Sequence, residues 1–290
     1  MTVAVYGTIF NEQSAKIVSD LAKLLTDADV DVLIYRPLLD FLASGSKPDY
    51  PVSGTFCKHD ELSPDTRFLV SIGGDGTFLN SVVIVRNSGI PIVGINAGRL
   101  GFLATIAEAD LRESVEKMLA GALSIEERTL LRLDAEGDPF GDFPYALNDM
   151  VIQKSTTGLI TIHTWSNDEF LNSYWADGLI VATPTGSSAY SLSVGGPVVA
   201  PESQNFIISP VAAHNLNVRP LVIPDSVTLR LKADCRNNRF TLSLDSRSVE
   251  CACEAEIKLS RADFKIKVVK SSSFYTTLNN KLMWGVDKRN

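Results

Sequence analysis

The sequence is short of the residues that staple or metallate small proteins. Its 290 residues hold four cysteines, Cys57, Cys235, Cys251 and Cys253, too few and too scattered for a disulfide scaffold. Cys251 and Cys253 alternate about Ala252, a spacing that puts both thiols on one face of a strand and reads as a reduced pair. The three histidines, His59, His163 and His214, lie far apart without metal-ligand spacing and read as structural. Basic residues are outnumbered, 27 Lys and Arg against 34 Asp and Glu, and the net charge of −7 argues against a protein that grips nucleic-acid phosphates. No apolar run approaches the ~20 residues of a membrane helix, so no membrane partner is expected. The opening Met1-Thr2-Val3-Ala4-Val5-Tyr6-Gly7 has no charged segment ahead of a long apolar one, so no signal peptide and a cytoplasmic location are expected. What is present is ordinary for a soluble protein: 45% hydrophobic and 21% charged, with a length that fits two domains.

The first third alternates strand and helix patterns. Val3–Tyr6 is strand-like, Glu12–Leu25 carries a helical apolar stripe, and Val32–Tyr35 is a second strand ended by Pro37. Residues 43–66 read as a loop. A strand at 67–72, a helix at about 77–88, a strand at 91–95 and a helix at about 109–120 follow. This order implies a Rossmann-like α/β domain with a parallel sheet over residues 1–121. After Gly121 the segments become short, β-branched and separated by turn residues, which predicts a mostly antiparallel, β-sandwich-like domain over 122–271. Residues 272–290 form a tail, expected as a helix that packs back on the first domain.

The strand–helix junction at 71–80 reads "SIGGDGTFLN". Such a junction aims free backbone N–H groups, with the positive end of a helix dipole, at one point. Gly73, Gly74, Gly76 and Thr77 therefore suit a phosphate chain. A Walker loop is excluded, because no Gly-Lys pair exists anywhere in the sequence. The dinucleotide fingerprint fits poorly, with Leu79 at the third glycine position. Asp75, an anion in a phosphate cradle, reads as a catalytic group that orients and deprotonates a hydroxyl or helps hold Mg²⁺, with a helix N-cap as the plain alternative.

Gly-Gly-Asp-Gly-Thr alone leaves several hydroxyl kinases open, among them lipid and sugar kinases. Four further blocks narrow the choice: "GINAGRLGFLAT" at 94–105, Ala146-Leu147-Asn148-Asp149-Met150-Val151-Ile152, "ADGLIVATPTGSSAYSLSVGGPVVAP" at 176–201 and "SPVAAHNLNVRPLVI" at 209–223. In this order and spacing, over roughly half the chain, they resemble the NAD kinase family. The resemblance implies an α/β domain, a β-sandwich-like domain and a site between them. It also implies transfer of a phosphoryl group from ATP, or from polyphosphate, to the 2′-hydroxyl of the adenosine ribose of NAD, giving NADP. A non-catalytic NAD(P)(H) sensor is the alternative of another class.

The resemblance also assigns residues. Asp75 matches the catalytic aspartate, and Gly76 and Phe102 fall where the dinucleotide packs. Asn148 and Asp149 match an Asn-Glu/Asp pair suited to a ribose diol, since both side chains can accept from hydroxyls. Asp177, Thr185, Ser188, Ala189 and Tyr190 fall where members touch the nucleotide. Mg²⁺ is expected on the donor phosphates, no protein ligand is assigned to it, Asp75 is the one alternative, and a homodimer or homotetramer is expected. Tyr174-Trp175 and Ala97 stand where many members carry basic or larger residues.

Overall fold

The computed structural model describes residues 1–45, 48–98, 101–215, 217–236, 238–253, 255–270 and 272–283. Residues 99–100 of the second sequence block, residue 216 of the last and the tail from 284 onward lie outside them. The chain divides into two compact units, Met1–Glu127 with Ile266–Asn290, and Arg128–Lys265.

The first unit contains β1 (Thr2–Tyr6), α1 (Glu12–Thr26), β2 (Asp31–Tyr35), α2 (Arg36–Gly45), β3 (Gly54–Phe56), β4 (Thr66–Gly73), α3 (Asp75–Val85), β5 (Ile92–Asn96) and α4 (Leu111–Leu119). Its strands are parallel in the order β5-β4-β1-β2-β3. Every residue of β1 and β5 is buried, as expected of parallel strands covered on both faces. Helix α1 starts at a capping box: the Asn11 side chain accepts from the Ser14 N–H at 2.8 Å, and the Ser14 hydroxyl accepts from the Asn11 N–H at 3.1 Å. Its stripe of Ile17, Val18, Leu21, Ala22 and Leu25 is buried in a core with Val3, Val5, Val70 and Ile72.

Helix α2 departs from the sequence reading. Pro37 does not merely end a strand; it lies in the first turn of a helix, where the missing N–H costs nothing.

The second unit begins within β6 (Ser124–Ala135) and continues through β7 (Tyr145–Ala146), β8 (Asp149–Lys154), β9 (Ile160–Ser166), β10 (Glu169–Ala176), β11 (Gly178–Ala182), the short helix α5 (Tyr190–Ser193), β12 (Asn205–Val211), β13 (Leu221–Pro224), β14 (Leu229–Cys235), β15 (Arg239–Leu244) and β16 (Arg247–Ala252). The long β17 (Glu256–Lys270) then leads to α6 (Phe274–Leu282). One antiparallel sheet runs β13-β12-β11-β8-β15-β16; β10, β9, β14 and the start of β17 pair antiparallel in another. Alternate residues of both sheets, Met150, Ile152, Leu179, Val181 and Phe240 from one and Ile160, Ile162, Leu229 and Leu231 from the other, form one core. The fold is therefore an α/β unit plus a mostly antiparallel one.

The cysteines correct the sequence reading. Cys253 is not one of a pair of free thiols with Cys251: it is joined to Cys235 in a disulfide, with the Cα atoms 6.4 Å apart, while Cys251 and Cys57 are free. The partner comes from the end of β14, which the Cys-x-Cys spacing could not reveal. Among the described residues no helix is long and apolar enough to cross a membrane.

Candidate functional site

In the first unit, the candidate residues gather where β4 passes into α3. Gly73 ends the strand and Gly74, in extended conformation, is the N-cap, so Asp75 is the first helical residue and not the cap. The Asp75 carboxylate reaches the segment that follows β5. Its Oδ2 accepts from the Phe102 N–H at 2.8 Å, and its Oδ1 accepts from the N–H groups of Leu103 and Ala104 at 2.9 and 3.0 Å. The neighbouring chain must come very close: a Cβ built on Gly101 would collide with the carboxylate. Phe102 is thereby brought beside Asp75 through its main chain. Its ring is faced by the Lys281 ammonium of α6, 5.4 Å from the ring centre. Thr77 is buried, with its hydroxyl 3.0 Å from that of Thr8, and the Gly73 carbonyl accepts from the Ala97 N–H at 3.2 Å. Gly76 is exposed in the first turn. An anion is favoured there by the helix dipole and by N–H groups without intrahelical partners.

In the second unit, Asn148 and Asp149 stand at the entry to β8, and the Thr183–Tyr190 segment folds onto them. The Asn148 carbonyl accepts from the Thr183 N–H at 2.8 Å, and the Thr183 hydroxyl donates to the Leu147 carbonyl at 2.5 Å. Gly186 passes so near the Asn148 carbonyl that a Cβ could not be accommodated. Residues Thr185–Ser188 make a 3₁₀ turn. The Thr185 hydroxyl accepts from Arg128 Nη1 at 3.4 Å, the Ser188 hydroxyl donates to the Thr185 carbonyl at 3.3 Å, and the Ala189 N–H donates to the Gly186 carbonyl at 2.9 Å. Tyr190 follows with its side chain exposed. Asn148, Asp149, Thr185, Ser188, Ala189 and Tyr190 thus belong to one contiguous patch.

Asp177 does not join that patch. It lies opposite Lys154, five residues along β8 from Asp149, or about 17 Å at strand spacing, and its carboxylate pairs with the Lys154 ammonium at 2.5 Å. The separation follows from antiparallel register, which puts the start of β11 beside the end of β8.

Asp149 is only 6% exposed, and burial first, then the negative charge of Asp245, push its carboxyl up to about 7. Asp245 itself, in the turn between β15 and β16, accepts from the N–H groups of Leu147, Asn148 and Asp149. Sequence reasoning missed it, as it missed Arg128 and Thr183. An Asp-Ser pair between two alternating runs signals a hairpin turn, but nothing local says that its carboxylate serves a segment about a hundred residues upstream.

The ATP-NAD kinase N-terminal domain matches residues 9–123, and the ATP-NAD kinase C-terminal domain matches residues 147–271. NAD kinases from Cytophaga hutchinsonii and Flavobacterium psychrophilum are each 42% identical to this chain, over all of it and all of their own length. One from Bacteroides fragilis is 40% identical over the same extent. Among solved structures, yeast NADH kinase complexed with NADH superposes with a TM-score of 0.87, covering 99% of this chain and 88% of that one at 22% identity. An NAD kinase from Archaeoglobus fulgidus in complex with ATP gives 0.75, covering 98% and 99% at 23% identity. The structural likenesses bear on the fold alone; the domain matches and the full-length relatives bear on kinship, and by them this chain belongs to the NAD kinase family.

Proposed function

We propose that this chain phosphorylates NAD to NADP, taking the phosphoryl group from ATP and placing it on the 2′-hydroxyl of the adenosine ribose. The observation that carries the reading is the full-length identity of about 40% to several NAD kinases, with matched domains on either side of residue 123. The site geometry supports it. A carboxylate has about four lone-pair positions. Among the described residues, Oδ1 of Asp75 accepts two hydrogen bonds and Oδ2 one, which leaves Oδ2 able to accept from a hydroxyl. Three backbone donors, one on Oδ2 and two on Oδ1, hold the carboxylate in place, so it needs no reorganisation to take up a hydroxyl proton. In the second unit, Asn148 and Asp149 offer an amide oxygen and a carboxylate side by side for a ribose diol, and the Thr185–Tyr190 turn offers hydroxyls and an aromatic face to a base.

The donor set does not fit a metal held by the protein. The Asp75 carboxylate already spends three of its acceptor positions on N–H groups, and no group of three His, Cys, Asp or Glu side chains among the described residues could hold an ion. Magnesium instead belongs to the substrate, as the counterion of the donor phosphates. The first-turn N–H groups of α3, which have no intrahelical acceptor, with Gly74, Gly76 and Thr77, are the natural anion contact. Assembly as a homodimer or homotetramer is part of the same proposal.

The deciding experiment couples purified protein, NAD, ATP and Mg²⁺ to a dehydrogenase specific for NADP. Steady NADP formation is expected. Its absence with ATP and with polyphosphate, across divalent metals, would remove the proposal in favour of a sensor that only binds the dinucleotide.

A further inference from the structure

Three consecutive backbone N–H groups at the entry to β8 converge on a single side chain. Asp245 Oδ2 accepts from Leu147 at 2.8 Å, and Oδ1 accepts from Asn148 at 2.8 Å and Asp149 at 3.2 Å. The contact is reciprocal, since the Asp245 N–H donates to the Asp149 carbonyl at 3.0 Å. Asp245 lies in the tight turn between the paired residues Leu244 and Arg247, with a φ of 52°. Aspartate tolerates that left-handed conformation. Two positions on, Arg247 donates to the Phe143 carbonyl at 2.7 Å and to the Tyr145 carbonyl. The β15–β16 turn therefore grips the chain from 143 to 149 by side chains and main chain together.

We propose that Asp245 is the positioning residue that fixes Asn148 and Asp149 in the orientation required to bind the dinucleotide ribose, and that it sets the charge state of Asp149. The inference rests on the NAD kinase reading for the identity of the ligand. A carboxylate is required at 245 because it alone can accept from all three N–H groups; an amide would turn a donor toward one of them. The two carboxylates share one buried region. Asp245 has three N–H donors and the Arg247 guanidinium to hold its charge, while among the described residues Asp149 has no donor. The negative charge therefore rests on Asp245 and the proton on Asp149. Burial pushes both carboxyls up. Lys154 pairs with Asp177 at the far end of β8, Arg239 is at the far end of β15, β11 has no charged residue, and Arg128 donates to Thr185 on the segment beside Asn148.

The test is Asp245→Asn in the NADP-coupled assay from pH 5.5 to 9. In the wild type, kcat/KM for NAD should rise through an inflection near pH 7 as Asp149 ionises. In the variant, KM for NAD should rise tenfold or more with KM for ATP within twofold, and the inflection should move to lower pH because the repelling charge is gone. A KM for NAD within twofold of wild type, or an unmoved inflection, overturns the proposal. If the variant does not fold, carboxyl-carbon NMR of the wild type decides: Asp149 must titrate near 7 and Asp245 below it, and the reverse order overturns the proposal. This titration needs no turnover, so it stands even if the wild type makes no NADP, a failure that counts against the NAD kinase reading alone.

Discussion

Gly101 leaves room for the Asp75 carboxylate and for nothing more: a methyl group on Gly101 would occupy the place of Oδ1. The three N–H groups that bind this carboxylate follow immediately, at Phe102, Leu103 and Ala104. Gly101→Ala must therefore displace either the loop or the carboxylate. The expected result is a loss of kcat on the order of 10²-fold, since small misplacements of a reacting group cost about that much. Circular dichroism and the unfolding midpoint should stay near those of wild type. A Gly101→Ala enzyme with normal kcat would show that the placement of Asp75 is immaterial.

Asp75→Asn asks a different question, because it keeps the size of the side chain and removes the base, while its amide turns a donor toward the Phe102 N–H and keeps the acceptor for Leu103 and Ala104. General-base help is worth roughly 10²–10⁴-fold, so kcat should fall in that range while the dissociation constant for NAD, read by calorimetry, changes little. If most of the turnover survives, Asp75 serves only to bind the 102–104 segment.

Local chemistry was legible where it acts over a few residues. The apolar stripe of Glu12–Leu25 marks α1, and the strand–glycine–helix passage around Asp75 is visible in the string itself. Contacts across large sequence separation were not legible. Asp245 and Leu147 are 98 positions apart, Cys235 and Cys253 are paired across a hairpin, and the docking of Asp75 on residues 102–104 depends on how β5 lies beside β4. Asp177 belongs to the same sequence block as Thr185, yet antiparallel pairing carries it to the far end of β8, a separation that the string does not show.

Asp149 links binding to stability. Its carboxyl is raised from 3.8 to about 7 in the folded chain, so between those values the folded state holds a proton that the unfolded state has released. Stability must then fall as pH rises through this window, and it is regained as pH drops below 4. About 1.4 kcal/mol per pH unit gives an upper bound of about 4 kcal/mol at pH 8. Asp149→Asn removes the titration. It should unfold at higher denaturant than wild type at pH 8, with the gain vanishing near pH 4, and should bind NAD less well. A pH-independent difference between the two proteins would contradict the buried, proton-holding state of Asp149.

The Cys235–Cys253 disulfide ties the end of β14 to the end of β16, the edge strand of its sheet, across a separation of 18 residues. Closing a loop of that length in the unfolded chain is worth about 3 kcal/mol. The hairpin it anchors carries Asp245 at its other end, so its loosening should be felt at Asn148 and Asp149. Under oxidising conditions, Cys253→Ser should unfold at lower denaturant than wild type, and dithiothreitol should bring the wild type down to the variant without affecting the variant itself. KM for NAD should rise in both cases, and KM for ATP should not. Four titratable thiols in protein purified without reductant, together with a denaturation midpoint that ignores dithiothreitol, would mean that the hairpin is held by its strand pairing alone.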